Sequence, residues 1–420
     1  MTRRHVVTAA AGAALLGVTV AIGWVLAANR PPGAYERPAP PPPVGAFRDG
    51  GVPDRDSALE AALGKLPGSI PPRDHVAFAR PGLAAAWRAL VGELERWPHL
   101  TSTDRRLDER SAELRARAAT VSDQLAAARL GYYLDVQIPI VEAVARPVLH
   151  AYRIDEVAFV RADRERVRVL GVRRLDHVRL AMLGRTSEEL DDPVVLLDQV
   201  DHKVAEQILP VLEGHAFPIG DNAWSRSARG RQIGALTGAA IRRELHAALG
   251  SDATTDPGPR CRRLVAASVR HHEAQHLIDQ RKLLPYPPAL ARYLKEPGEA
   301  AFAIRTRYEL SAYLSQIASD MWLPQLVLWN LSRHAFRQQE SRVAESYAAV
   351  VAIEALASRL QIRLPGTLIS HGVVDRDRLA ALVEPLAQVP TIELRSAAAA
   401  AWAELFGGKL VRLVDDARLR

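Results

Sequence analysis

Between Arg262 and Gln280 the chain runs without Pro or Gly, and two histidines fall on its apolar stripe. Leu264, Val265, Val269, His272 and His276 follow three-and-four spacing, so a helix here turns both imidazoles inward. A buried histidine pair needs polar partners, and the rest of the fold has to bring them.

His272-Glu273-Ala274-Gln275-His276 is an H-E-x-x-H run. Residues i and i+4 stack on one helix face, so the imidazoles of His272 and His276 can converge on a single ion. Glu273, turned about a quarter-circle away, can reach a metal-bound water and take its proton. Zinc, Zn2+, suits the task because it lowers the pKa of bound water and polarises a carbonyl. The competing reading is a pair of satisfied core histidines with Glu273 on a solvated face. His271 points off the stripe and is expected at the surface or at a substrate edge.

A catalytic zinc needs a third protein ligand and an open position. The stretch EAAFAIRTRYELSAYLSQIASD, Glu299 to Asp320, reads as one helix with Ala303, Leu310, Leu314, Ile317 and Met321 on one stripe. Glu309 and Tyr313 lie along its border, and Glu309 is the preferred ligand. Asp279 shares the histidine face but stands nearly two turns from His272, roughly 10 Å along the axis, so it is expected to support a ligand histidine or pair with an arginine. Glu299 follows Pro297-Gly298, where a carboxylate complements a helix dipole. Glu345, in a helix expected over Ser341 to Leu360, is a reserve ligand.

With Glu309 in place, the constellation resembles the gluzincin branch of zinc metallopeptidases, in which H-E-x-x-H on one helix is completed by a Glu on a following helix. The resemblance covers His272 to His276 and Glu309 to Tyr313, with 32 residues between His276 and Glu309. It implies His272, His276 and Glu309 as ligands and Glu273 as general base. Tyr313 stands where some members carry an acidic residue. A donor opposite the metal can come from Tyr308, Tyr313, Tyr347 or an arginine, and Tyr313, one turn past Glu309, is preferred. His215, in the loop EGHAFPIGDNAW, is a weaker candidate for the cleft.

Val6 to Ala28 is an uncharged apolar run long enough to span a bilayer, preceded by Arg3 and Arg4 and carrying Trp24 near its far end. The positive-inside rule then leaves the amino terminus in the cytoplasm and the rest of the chain outside it. A cleaved signal is the alternative: Thr2-Arg3-Arg4-His5-Val6-Val7 resembles a twin-arginine export signal, and Val25-Leu26-Ala27 or Leu26-Ala27-Ala28 offers a small-residue cleavage site. Arg30 to Asp54, with a four-proline run, is expected to be extended spacer.

The expected organisation is an anchor over 1–29, a Pro-rich linker over 30–73, a helical hairpin region over 74–130 and a zincin-like domain over 131–420. In the hairpin, Trp87, Leu90, Val91 and Leu94 mark one helix, and Leu107, Leu114, Ala118 and Leu125 mark another. Pro147 to Val160 and Val167 to Val172 are β-branched runs around a charged turn at Arg161 to Arg166. Helices are expected at Val200 to Leu209, Ala228 to Leu249, Trp322 to Phe336 and as a pair after Asp375, with Ser251 to Pro259 a loop before the histidine helix. The fold class is therefore mainly α with a small antiparallel sheet, in the α+β manner of zincins, behind an N-terminal transmembrane helix.

The net charge of +7 comes from scattered residues, and 50 of the 55 basic side chains are arginine. Short clusters such as Arg260-Arg262-Arg263 lack interleaved aromatics, which argues against a nucleic-acid partner. Cys261 is the only cysteine, so no intramolecular disulfide is available. The sequence thus points to a membrane-anchored, outward-facing zinc peptidase with a polypeptide substrate. The alternatives are a non-enzymatic envelope protein of binding or assembly type, and a zinc hydrolase of a non-peptide amide.

Overall fold

The computed structural model describes residues 54–66, 78, 80–101, 103–163, 165–175, 182–186, 192–250, 256–282, 284–293, 300–337, 344–370 and 372–415. The expected anchor at Val6 to Ala28, the export signal, nearly all of the proline spacer and Glu299 lie outside them. Among the described residues no helix is long and apolar enough to cross a membrane. The fold is mainly helical with an antiparallel sheet, and the chain divides into two compact units.

The first unit holds α1 (Ser57–Leu63), α2 (Pro81–Glu95), α3 (Leu107–Ala127) and β1 (Tyr132–Gln137). Helix α1 stands inside the segment expected to be linker; Asp56 caps it, accepting from the amides of Ala58 and Leu59 at 3.0 Å each. Leu83, Trp87, Leu90, Val91 and Leu94 of α2 meet Leu114, Ala118, Val121 and Leu125 of α3, and Tyr132, Leu134 and Val136 of β1 close this core. Ser122 pins strand to helix, because its hydroxyl accepts from the Leu134 amide at 2.9 Å.

Two long strands, β2 (Val148–Ala162) and β3 (Glu165–Arg174), contribute to both units. They extend into the charged stretch expected to be turn, since Arg161 and Arg166 alternate with buried Ala162 and Val167 and point to solvent. The reversal needs only a short loop in which Asp163 adopts φ 52°, a conformation that Asp tolerates. In the first unit β1 pairs antiparallel with β2, Tyr132 opposite Arg153 through Gln137 opposite Val148.

In the second unit the order continues from β3 to β5 (Val194–Leu196) and ends at β4 (Gly184–Arg185). Strand β6 (Leu413–Asp415) pairs with the far end of β2, Leu413 opposite Ala162. Neither β6 nor β1 was evident from pattern. Both are short or mixed in character, and each is defined by the strand it meets.

Helices fill the rest of the second unit: α4 (Leu197–Lys203), α5 (Ala228–Leu249), α6 (Pro257–Arg281), α7 (Ala300–Ser319), α8 (Pro324–Arg337), α9 (Ala344–Arg359) and α10 (Thr391–Phe406). Helix α6 starts inside the expected loop because Asp256 caps it, accepting from the Gly258 amide at 2.9 Å, with Pro257 at its first position. Helix α7 ends at Ser319, one residue early, since Asp320 accepts from the amides of Trp322 and Leu323 at 2.8 and 2.9 Å. Met321, expected on the inward stripe, is therefore 41% exposed. Leu310, Leu314, Ile317, Leu328, Trp329, Leu331, Val350 and Ile353 form the centre of the core.

The start of α8 is capped from another helix. Glu244 of α5 accepts from the Gln325 amide at 2.9 and 2.8 Å, from the Leu326 amide at 3.3 Å and from the Thr391 hydroxyl at 2.9 Å. Burial outweighs these bonds and pushes its carboxyl up to about 8. Glu244→Ala should thus orphan several buried donors and cost about 2 to 4 kcal/mol. Glu244→Gln, which keeps a carbonyl acceptor and matches a protonated acid, should cost under about 1 kcal/mol, as read from denaturant midpoints.

Candidate metal centre

Helix α6 sets His272 and His276 one turn apart with their Nε2 atoms 3.0 Å from each other and their rings edge to face. Helix α7 brings Glu309 Oε2 to 3.7 Å from the first nitrogen and 3.9 Å from the second. A triangle with those sides has a circumradius of about 2.1 Å, which is the length of a zinc bond to nitrogen or oxygen. Among the described residues these three form the one group of His, Cys, Asp and Glu whose ligand atoms converge in this way. The side chains are 12%, 14% and 17% exposed, so none of the three is fully closed off from solvent.

A polar seam sets the register that makes this possible. Gln316 of α7 donates to the Ser268 carbonyl and hydroxyl of α6 at 3.0 Å each, and its neighbour Ser315 donates to Gln275 Oε1, about two turns further along α6, at 2.8 Å. Further along, Gln275 Nε2 donates to Asp279 Oδ1 at 2.6 Å. Trp402 of α10 donates to Ser311 at 2.8 Å and holds α7 from its other side. Buried polar groups left unpaired cost about 1 to 3 kcal/mol each, so sliding α7 along α6 is strongly resisted.

Burial dominates the electrostatics. It pushes the His272 ring well below its ordinary value, helped by His276, and pushes His276 down to about 4, helped by Arg305. It drives the Glu309 carboxyl up to about 7, reinforced by Glu345 and opposed by Arg305, and Glu273 up to about 8, opposed by Thr186 and reinforced by Glu309. With neutral rings the Glu309 separations are not ion pairs. Two neutral imidazoles beside two carboxyls that ionise reluctantly is a donor set that a divalent cation would convert to its charged form.

The sign of the resulting pH dependence follows. Both carboxyls have folded values above their unfolded ones, so the stability they contribute is full below about 4.5 and is lost as pH rises through about 7 to 8. A cation removes that loss by favouring the ionised forms. We expect the rise in thermal midpoint on adding zinc to be larger at pH 8 than at pH 6; an equal or smaller rise at pH 8 would contradict it. Asp279 and Glu244, raised to about 7 and about 8, act with and without zinc and cancel in that difference.

Glu273 lies against the edge strand. Thr186, just past β4, donates to Glu273 Oε2 at 2.7 Å and lies 3.0 Å from its backbone carbonyl. A Cβ at Gly184 would sit 2.5 Å from Glu273 Oε1, so only glycine allows this approach. Neither residue had a signal in the sequence, because a two-residue strand carries no measurable period.

The Tyr313 ring lies 4.5 Å from that of His272. Burial, with the charges of Glu309, Glu345 and Glu273, holds its hydroxyl well above the usual phenol range, so it remains a donor. Tyr347 packs on Phe302 and Tyr293, and Tyr308 lies under the Arg307 guanidinium, which leaves Tyr313 beside the triad. Glu345 pairs with Arg305 and acts on Glu309 through charge, outside the converging group. His215 is exposed in its loop.

Two expectations need correction. Asp279 does not orient a ligand ring: it accepts from Gln275, because at three residues past His276 it faces the seam beyond the site. No hydrogen bond reaches His272 Nδ1 among the described residues, and the nearby Gln316 amide is held by Ser268. His271 is not at the surface but 2% exposed, since α6 is covered on more than its histidine face. No protein-family model matches the chain, no curated protein matches it, and no solved structure matches its fold.

Proposed function

We propose that the chain is a zinc-dependent peptidase of gluzincin-like type, with His272, His276 and Glu309 as ligands, Glu273 as general base and Tyr313 as a donor to the transition state. The observation that carries this reading is the convergence of three ligand atoms about a point one zinc bond length from each, with Glu273 one residue from a ligand. Bound zinc would supply acidity to a coordinated water and polarise the scissile carbonyl.

The residues divide the rest of the work. Glu273, oriented by Thr186, takes a proton from water and returns it to the leaving amine. Tyr313 keeps its proton and can donate to the developing oxyanion. Among the described residues strand β4 ends the sheet beside Glu273, and an edge at that place suits an extended peptide added as a further strand. The apolar run Val6 to Ala28 behind Arg3 and Arg4 supports an anchored domain outside the cytoplasm.

Metal analysis of the full chain expressed with ample zinc tests the reading. About one equivalent, together with hydrolysis of a mixed peptide pool that a chelator abolishes, is the expected result. Less than about a tenth of an equivalent removes it.

A further inference from the structure

Lys203 closes α4, and the chain then enters a π-helical turn, Val204–Ile208, that contains Gln207. Such turns are rare and recur at functional sites. Lys203 Nζ donates to Gln207 Oε1 at 3.1 Å and to Asn330 Oδ1 at 2.7 Å, and Arg333 donates to the same Gln207 oxygen at 2.9 Å. The ammonium and the guanidinium also share the Phe217 ring, at 5.8 and 5.6 Å from its centroid.

Two cations thus meet at one neutral acceptor, and neither forms an ion pair with a carboxylate among the described residues. Lys203 is 8% exposed, while Gln207, Asn330 and Arg333 are half-buried, so solvent reaches the groups around it. Burial, and then the charge of Arg333, push the Lys203 ammonium down to about 7, which registers how poorly this pair is compensated. Among the described residues both cations end on neutral acceptors, so an incoming carboxylate would be the first opposite charge within hydrogen-bond reach of either.

The elements that carry the pair pack on those of the metal centre. Helix α8, which carries Arg333, packs on α7, the π-helical turn after Lys203 packs on α6, and the Tyr313 ring of α7 lies against His272. We propose that Lys203 and Arg333 form a carboxylate-binding subsite beside the triad, so that preferred substrates carry a carboxylate a short way from the bond to be cut. Its meaning as substrate selection rests on the peptidase reading, but the binding does not. The carboxylate is either a chain terminus, which would make the enzyme act near C-terminal ends, or an acidic side chain.

Calorimetric titration of the full chain, kept metal-free with a chelator, separates these cases without any catalysis. The probes are N-acetyl-Ala-Ala with a free carboxylate, the same dipeptide as its amide, and N-acetyl-Ala-Glu amide. At least one acid should bind tenfold or more tightly than the Ala-Ala amide, and whichever does identifies the source of the carboxylate. Lys203→Met and Arg333→Gln should each erase most of that preference. Equal binding of all three probes, or a preference unchanged in the variants, overturns the proposal. An apolar side chain in place of a buried cation is generally tolerated; should Lys203→Met fail to fold, Arg333→Gln against the charge-preserving Arg333→Lys makes the same comparison. A chain without zinc can pass this test, and a zinc peptidase can fail it.

Discussion

Glu273→Gln is expected to bind zinc as the parent does, to unfold at nearly the same temperature, and to lose hydrolysis by about a thousandfold or more. The amide is isosteric, which matters because the space beside it is bounded by Gly184 and admits nothing larger. Its carbonyl still accepts from Thr186, so the local hydrogen bond survives. What disappears is a group able to take a proton from water and release it to an amine. Steady-state rates on a peptide cleaved by the parent, with zinc measured in the same sample, check the outcome. A variant retaining more than about a tenth of the rate would remove Glu273 from its role.

His276→Ala should lose the metal itself. Removing one of three converging atoms leaves His272 Nε2 and Glu309 Oε2, 3.7 Å apart, as a two-point site with little hold on an ion. We expect less than about a tenth of an equivalent of zinc after gel filtration, and no zinc-dependent rise in thermal midpoint. Asp279→Asn is the informative contrast. It shares the histidine face in sequence but accepts from Gln275, so it should retain zinc at parental stoichiometry while destabilising the seam. A variant set in which Asp279→Asn loses zinc and His276→Ala keeps it would reverse the assignment of ligands.

Much of this was legible because it is periodic. The Ala228 to Leu249 helix has the limits its spacing gives, and the stripe that carries His272 and His276 identified an inward face before any partner was known. That Glu309 would approach the two histidines could be read from its place at the border of the following helix. Thr186, Gly184, Gln316 and Glu244 were not legible, for a common reason: each matters through an atom of a distant segment, and its own neighbours in sequence say nothing of that atom. Asp279 shows the opposite failure. Helical phase placed it correctly on a face, but which of several neighbours a buried carboxylate meets depends on the register of α7, which no local pattern encodes.

The seam between α6 and α7 also makes the three ligand atoms a gauge of ionic size. Because Ser268 with Gln316 and Gln275 with Ser315 hold the helices in place, the gap does not widen freely to suit a visitor. Calcium needs six or more oxygens at about 2.3 to 2.6 Å and meets here two nitrogens and one carboxylate closing on a shorter radius. Magnesium, which keeps its waters and prefers oxygen, gains little from imidazoles. On the proposed reading, smaller ions with a taste for nitrogen suit the site, so zinc, copper, nickel and cobalt would compete for it, and the supply of each in the compartment would decide the outcome.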